Sequence, residues 1–238
     1  LYLVAGYKAA GSAAPDNGLE VAGFESGRSH ENKLLKYDGT DLTVIDLESS
    51  AQYVTLFGDS AVFNKKLYFQ AYTPSYGSEL WSYDETNGAK MVADSIYPGS
   101  SSSNPYHMTT FNNKLYFVST TNSYGYEWYS YDGSTVTRLT DIRSGASDGV
   151  YAYGKAKVYN SKIYFPGYDS SKGVELYSYD ETNGAQLVKD IYDGSGGSYP
   201  NYLTVFDGKL YLVAGYKAAG SAAPDNGMEA AGSESGMS

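Results

Sequence analysis

Histidines, cysteines and paired carboxylates would carry catalysis or metal binding, and this chain offers few of them in a usable pattern. It contains two histidines, His30 and His107, and no cysteine. Neither histidine has a second one four residues away, so the paired-histidine pattern of zinc enzymes is absent. Nucleophile-elbow, dinucleotide-binding and P-loop motifs are absent as well. We therefore predict that the protein is not an enzyme, with no catalytic residue, no resident cofactor and no metal ligands.

Carboxylates are abundant, but they recur at equivalent places instead of forming one differentiated pair. Asp84, Asp132 and Asp180 are equally spaced, and each opens a short polar segment containing glycine. A glycosidase needs two acids with different environments in one site, whereas aspartate is a common first residue of a turn. We predict turns here. The alternative is a Ca²⁺ site that includes Glu85 or Glu181, although the spacing does not match an EF-hand loop.

Aromatic residues recur with the same spacing, at Trp81, Tyr129 and Tyr177. We predict that their rings pack between repeated units, because aromatic side chains bury large areas and place a polar group at one edge. The alternative is that these three residues bind a ligand by stacking on sugar rings, one site per repeat. Trp128 precedes Tyr129 directly, so in a strand it would point to the opposite face and into the core.

These positions belong to a regular repeat. Its period is 48, because 132 − 84 and 180 − 132 both equal 48. The repeat is clearest in the segments Lys66–Asp84, Lys114–Asp132 and Lys162–Asp180. A fixed period of about 20 to 50 residues indicates a repeat architecture. We place the repeats at residues 1–57, 58–105, 106–153 and 154–201, with a partial fifth repeat at 202–238, all within a single domain.

Each repeat is predicted to form four short antiparallel β-strands. The 27 tyrosines favour strands and the 27 glycines favour turns, while no segment shows a sustained helical period. Asn87-Gly88 and Asn112-Asn113 mark hairpin turns. The strand that precedes the KLYF-type strand is expected, in turn, at Tyr53–Phe57, Tyr106–Phe111, Tyr151–Val158 and Tyr202–Phe206.

Apolar residues lie on both faces of these strands. In Lys66–Tyr72, residues Leu67 and Phe69 alternate with Tyr68. A sheet with one wet face alternates apolar with polar residues, so two apolar faces predict sheets stacked face to face. Four-stranded units of this length are typical of β-propeller blades. We predict an all-β fold, a β-propeller of four-stranded antiparallel blades; a β-solenoid is the second choice.

Counting strands predicts four blades, one of them closed by strands from both ends of the chain. A five-bladed ring, with an incomplete blade from the terminal segments, is the alternative. The first repeat carries a long inserted loop at Lys8–Glu31, which is rich in Ala, Gly and Ser. Long loops often form contact surfaces, and we assign this one such a role.

A second and longer period is superimposed on the first. The segment Leu1–Ser29 recurs as Leu210–Ser238 with four differences, at an offset of 209 in residue number. A tandem array whose super-repeat has this length explains the recurrence, and a duplicated terminal segment within one closed domain is the alternative. An unpaired strand invites pairing with another molecule, so we predict self-association through these segments. The candidate assembly contacts are Tyr2, Leu3, Pro15, Tyr211, Leu212 and Pro224.

The formal net charge is −10, from 17 basic and 27 acidic residues. Nucleic-acid binding depends on clustered Lys and Arg, so this balance argues against a nucleic-acid partner. No apolar run approaches the roughly 20 residues that cross a bilayer. We therefore predict neither nucleic-acid binding nor membrane insertion.

The segments Glu79–Thr86 (ELWSYDET), Glu127–Ser134 (EWYSYDGS) and Glu175–Thr182 (ELYSYDET) resemble the repeat known by its ELWxxDGT motif. Glu85 and Glu181 depart from that motif because they replace its glycine. The resemblance implies a bacterial protein, secreted or on the cell surface, built from propeller-like arrays without enzymatic activity.

The sequence thus favours a non-enzymatic extracellular structural protein that assembles through its terminal segments into a fibre or surface layer. The alternative function is a multivalent, lectin-like β-propeller whose partners are glycans.

Overall fold

The computed structural model describes residues 2–7, 31–47, 53–54, 59–93 and 96–216. The inserted loop of the first repeat lies outside them, apart from Glu31. All regular structure in this part of the chain is β-strand, arranged in five antiparallel sheets. Across the same residues, no helix is long and apolar enough to cross a membrane.

The first sheet contains β1 (Tyr2–Tyr7), β2 (Glu31–Tyr37) and β3 (Leu42–Ile45), in that order. In the second sheet β6 pairs with two short strands on one edge, and the strands are β4 (Tyr53–Val54), β5 (Ala61–Phe63), β6 (Lys66–Thr73), β7 (Gly77–Asp84) and β8 (Gly88–Ala93).

The third sheet contains β9 (Tyr106–Phe111), β10 (Lys114–Ser119), β11 (Glu127–Tyr131) and β12 (Val136–Arg138). The fourth contains β13 (Lys157–Tyr159), β14 (Lys162–Asp169), β15 (Gly173–Asp180) and β16 (Gly184–Lys189). The fifth contains β17 (Asn201–Phe206) and β18 (Lys209–Val213). The prediction of an all-β fold with repeated four-stranded antiparallel sheets is confirmed.

We call β5, β9, β13 and β17 the inner strands, because consecutive members of this set lie close together: β5 contacts β9, and β13 contacts β17. Each inner strand connects to the next strand by a two-residue turn whose central residues have positive φ, as at Asn112 and Asn113 (φ 45° and 54°). Such turns match the twist of paired strands, and Asn tolerates the left-handed conformation well. The predicted Asn-Asn hairpin is confirmed.

Two predicted inner strands are placed differently. The strand predicted at Tyr53–Phe57 is present in part, as β4 (Tyr53–Val54), which pairs with β6. The two-residue turn before β6 is instead preceded by a further short strand, β5. The strand predicted at Tyr151–Val158 begins only at Lys157. The residues before Lys157 form an irregular connection. In it Gly154 lies so close to Pro166 that a Cβ there would clash with the proline ring.

Both faces of the central strands are buried, as predicted. Leu67 and Phe69 of β6 pack with the first sheet, whereas Tyr68 packs with the third. In β10, Leu115 faces the second sheet and Tyr116 faces the fourth. The second and third sheets therefore each form a core with the sheet before and another with the sheet after.

The first and fifth sheets are the two that a closed ring would bring together. β1 pairs with β2, and β17 pairs with β18, while no pairing joins the first and fifth sheets among the described residues. The repeated sheets are thus established, and a four-bladed ring stays a prediction.

Two glycines with similar backbone conformation provide a matched test of sheet packing. Gly77 (φ 68°) lies against the Ser101 carbonyl oxygen, 2.6 Å from where a Cβ would stand, whereas Gly88 (φ 70°) has no atom within 4 Å of that position. We expect Gly88→Ala to lower the free energy of unfolding by about 1 kcal/mol, the cost of a left-handed residue. Gly77→Ala adds a steric clash, so we expect ~3 kcal/mol. Urea denaturation of both variants measures the difference, and equal losses would contradict the close packing at Gly77.

Candidate functional site

The three aromatic residues proposed as ligand contacts lie between sheets. Trp81 is 1% exposed, Tyr129 5% and Tyr177 7%. Trp81 packs at the junction of the first and second sheets, Tyr129 at the next junction and Tyr177 at the one after that. This burial agrees with the packing interpretation, and ligand binding by these rings stays a prediction. Trp128 is buried on the opposite face of its strand from Tyr129, as expected.

The repeated aspartates close the outer hairpin turns. Asp84 Oδ1 accepts hydrogen bonds from the backbone N–H groups of Thr86 (2.9 Å) and Asn87 (2.8 Å), and Asp180 is bonded equivalently. Hydrogen bonds from the Asn87 side chain, then from its backbone, hold the pKa of Asp84 at about 2. No group of three metal-ligating side chains occurs in the described ranges. The turn prediction is confirmed, and Ca²⁺ binding stays a prediction.

A second set of repeated carboxylates was not predicted from the sequence. Glu79, Glu127 and Glu175 open the ELW-type segments, and each is fully buried. Glu79 accepts hydrogen bonds from the backbone N–H (2.9 Å) and the hydroxyl (2.6 Å) of Ser103. Glu175 does the same with Ser198. These glutamates bind the connection that leads from one sheet to the next, and their equal spacing along the chain could have revealed them.

Glu127 is the exception within this set. Its Oε2 accepts a hydrogen bond from the Thr140 hydroxyl at 2.5 Å, while its Oε1 has no hydrogen-bond partner. Gly149 lies beside Oε1, so no serine hydroxyl is present there. Burial raises the pKa of Glu127 to about 7, opposed by hydrogen bonds from the Thr140 hydroxyl and from the backbone N–H of Ile142. The third sheet therefore contains a buried carboxyl that gains a proton near neutral pH.

A polar cluster joins three sheets at their inner strands. The Asp59 carboxylate lies 3.4 Å from His107 Nδ1 and accepts a hydrogen bond from Lys155 Nζ at 3.1 Å. These residues occupy equivalent repeat positions, because 107 − 59 and 155 − 107 both equal 48. They line an opening of about 270 Å³. The hydrogen bond from His107, with a further contribution from Lys155, holds the pKa of Asp59 at about 2.

This cluster was not predicted, because three different residue types occupy its equivalent positions. Alignment of the three copies would have placed His107 between an acid and a base. Both ring nitrogens of His107 are engaged, Nδ1 by Asp59 and Nε2 by the Ala152 carbonyl oxygen at 3.1 Å. A general base needs a nitrogen that can reach substrate, so this arrangement favours a structural tie.

An aromatic pair recurs on the same face of four consecutive sheets. The pairs are Phe63–Tyr68, Phe111–Tyr116, Tyr159–Tyr164 and Phe206–Tyr211, with ring centroids 5.8–6.1 Å apart. Tyr131 of the next sheet covers the first pair. The last pair is uncovered, because Phe206 is 69% exposed and Tyr211 50% exposed. We call Phe206, Tyr211 and the 63% exposed Val213 the end face.

The predicted assembly contacts fall in two groups. Tyr2 and Leu3 lie in β1, an edge strand of the first sheet, and Tyr211 and Leu212 lie in β18, an edge strand of the fifth. Pro15 and Pro224 lie outside the described residues. The four candidate contacts within the described residues therefore lie in edge strands, whose backbone groups can pair with another strand along one side.

The scan of the chain against protein-family models found no match, and the search of curated proteins found none either.

The Glu127 carboxyl gives a prediction for pH dependence. Its pKa in the folded state, about 7, lies above its ordinary value of 4.5, so its contribution to stability is complete below 4.5 and is lost as pH rises through 7. We expect the stability of Glu127→Gln relative to wild type to increase by up to about 3 kcal/mol between about pH 5 and pH 8. Urea denaturation at each pH measures this difference, in which the titration of all shared groups cancels.

Glu175→Gln is the matched control. Ser198 donates two hydrogen bonds to this carboxylate, and the backbone N–H groups of Ile191 and Tyr192 donate two more. This variant should have a lower free energy of unfolding than wild type at every pH in this range. The reason is that a group that accepts several hydrogen bonds is replaced by one that is partly a donor. A Glu127→Gln difference that does not change with pH would contradict the assignment.

Proposed function

We propose that this chain is a non-enzymatic structural repeat protein of the bacterial cell exterior, which associates with copies of itself through its terminal segments into a fibre or surface layer. The observation that supports this most directly is the end face. Equivalent aromatic pairs in the second and third sheets are covered by the following sheet, and the pair in the fifth sheet is exposed to solvent.

Exposed apolar surface on a sheet with an open edge favours association. Contiguous apolar patches on soluble proteins commonly mark interaction sites, and an unpaired strand edge adds backbone donors and acceptors. The end face combines both features on β17 and β18. The net charge of −10 keeps separate molecules soluble, so association requires a specific contact of this kind.

The absence of an enzymatic role is part of the proposal. His107 is bound on both ring nitrogens, and the repeated acids Asp84, Asp132 and Asp180 are occupied by their own turns. Glu79 and Glu175 are buried and bonded to the backbone. These contacts support structural roles for the most prominent ionisable groups of the described chain.

Substitutions in the end face test self-association. We expect wild-type protein to form species larger than a monomer as concentration rises, and Phe206→Ser with Tyr211→Ser to reduce them strongly, because the apolar contact is lost. Light scattering after size exclusion, with electron microscopy of the largest species, provides the measurement. Tyr153→Ser is the control, since Tyr153 is 81% exposed but lies outside the end face. A wild-type protein that stays monomeric at every concentration would exclude the proposed function.

Carbohydrate binding is the second candidate, and exposed tyrosines in equivalent turns favour it. Tyr76 and Tyr124 are separated by one full period, and both are exposed. The Arg138 guanidinium lies 3.6 Å from the ring centroid of Tyr124, while Tyr76 has no such cation among the described residues. A repeated exposed ring could stack on sugar units with weak individual affinity and useful avidity.

A glycan array distinguishes this candidate. If it is correct, wild type binds a set of glycans and Tyr76→Ala removes most of the signal, because stacking contacts carry much of sugar affinity. Val62→Ala, an exposed position away from the turn, serves as the control. No binding on the array, or binding unaffected by Tyr76→Ala, would remove the candidate.

A further inference from the structure

Among the described residues, the first and fifth sheets contain complementary sets of strands. The third and fourth sheets each run from an inner strand to an outer strand through four members. In the fifth sheet the described residues form the first two members, β17 and β18. The first sheet has the last three, β1, β2 and β3, and has no inner strand among the described residues. Together the two sheets contain every strand of a complete sheet, with the second position present twice.

The duplicated position has one sequence. Residues 1–7 and 210–216 are both LYLVAGY. In the first sheet this sequence pairs with β2 in the register Tyr2↔Lys36, Leu3↔Leu35 and Val4↔Leu34. The identity of the two segments places Tyr211, Leu212 and Val213 at the same positions. β18 therefore offers β2 the same side chains and backbone groups as β1 does.

Two exposed apolar surfaces coincide with the missing strand. Val62 of β5 lies opposite Leu67 in the strand pair, so it is on the face of the second sheet that packs against the first. Val62 is nevertheless 64% exposed, whereas Val158, its equivalent two repeats later, packs against the preceding sheet. An inner strand in the first sheet would stand over Val62. The end-face residues Phe206 and Tyr211 belong to a strand pair of that kind.

Within one chain the two halves are not joined. Val62 and Phe206 both remain exposed, and β18 makes no pairing with β2 in the described structure. We infer that a second copy joins them: β18 of one copy takes the place of β1 beside β2 of the next, and β17 becomes the missing inner strand. The result is a four-stranded sheet, β17-β18-β2-β3, shared between two molecules. This inference rests on the self-association proposed above and names the surface that forms it.

The free-energy balance favours β18 over β1 as the partner of β2, because β18 brings β17 with it. Replacement of β1 by β18 conserves the backbone pairing with β2, because the sequences are identical. The gain is the apolar area of the end face, which leaves water when it packs against Val62 and its neighbours. The contact joins the end of one molecule to the beginning of another. Such a head-to-tail interface leaves a donor and an acceptor at opposite ends of every dimer, so it can extend into a chain of molecules.

Disulfide trapping tests this register directly, because the chain has no cysteine of its own. Ala214→Cys protein is mixed with a Lys33→Cys protein that carries an added tag, and the mixture is incubated and then oxidised. Ala214 is equivalent to Ala5, which lies opposite Lys33 in the pairing of β1 with β2, and it is not part of the end face. Directly opposed residues of antiparallel strands are within disulfide reach. We expect a mixed dimer, resolved by mass on a non-reducing gel. The matched control replaces Lys33→Cys with Thr43→Cys; Thr43 lies on β3, one strand further away, which is out of reach.

The outcomes separate the two proposals. A mixed disulfide well above the Thr43 control supports the shared sheet. If wild type self-associates but the mixed disulfide does not exceed that control, the shared sheet is excluded while self-association stands. If the Ala214→Cys, Lys33→Cys double variant forms its disulfide within a monomer, closure occurs inside one chain and the inference is overturned. If wild type is monomeric at all concentrations, both proposals fail.

Discussion

The constraint on which this structure depends is that no sheet can cover its own apolar faces. β6 and β10 present large apolar side chains on both sides, and each side is buried by a different sheet. A single antiparallel sheet with such strands would expose one of its faces to water. Stability is therefore shared between neighbours, and the second and third sheets each depend on the sheet before and the sheet after. The position of each repeat follows from this mutual dependence.

Polar side chains hold neighbouring sheets together at two places, one at the inner strands and the other at the connections between sheets. At the inner strands, Asp59 bonds to Lys155 across the third sheet, so the second and fourth sheets approach each other closely there. Further out, Glu79 and Glu175 hold the connections between sheets through backbone N–H groups. Buried carboxylates are costly unless they accept hydrogen bonds, and these accept several. The polar groups thus determine how the sheets meet, while aromatic burial supplies the attraction.

Much of this could be predicted from periodicity alone. The regular repeat, the Asn-Asn turn and the alternation of Leu67 with Tyr68 led to sheets with two buried faces. The strand predicted at Tyr53–Phe57 is present in part as β4, which pairs with β6, whereas β5 was missed because three residues are too few to show an alternating pattern. The Asp59–His107–Lys155 cluster was missed because three different residue types occupy one position. The end face could not be predicted either, since exposure depends on which neighbour is present and composition does not record that.

The burial of β10 has a consequence for how the molecule opens. Leu115, Tyr116, Phe117 and Val118 are all inaccessible to solvent, so the third sheet is covered on both sides by sheets that are themselves covered. The first and fifth sheets each have a neighbouring sheet on one side. Amide protons should therefore exchange with solvent fastest in the outermost sheets and slowest in β10, where exchange requires the neighbouring sheets to detach first. Local unfolding would begin in the first and fifth sheets and proceed inward, so the third sheet would unfold last.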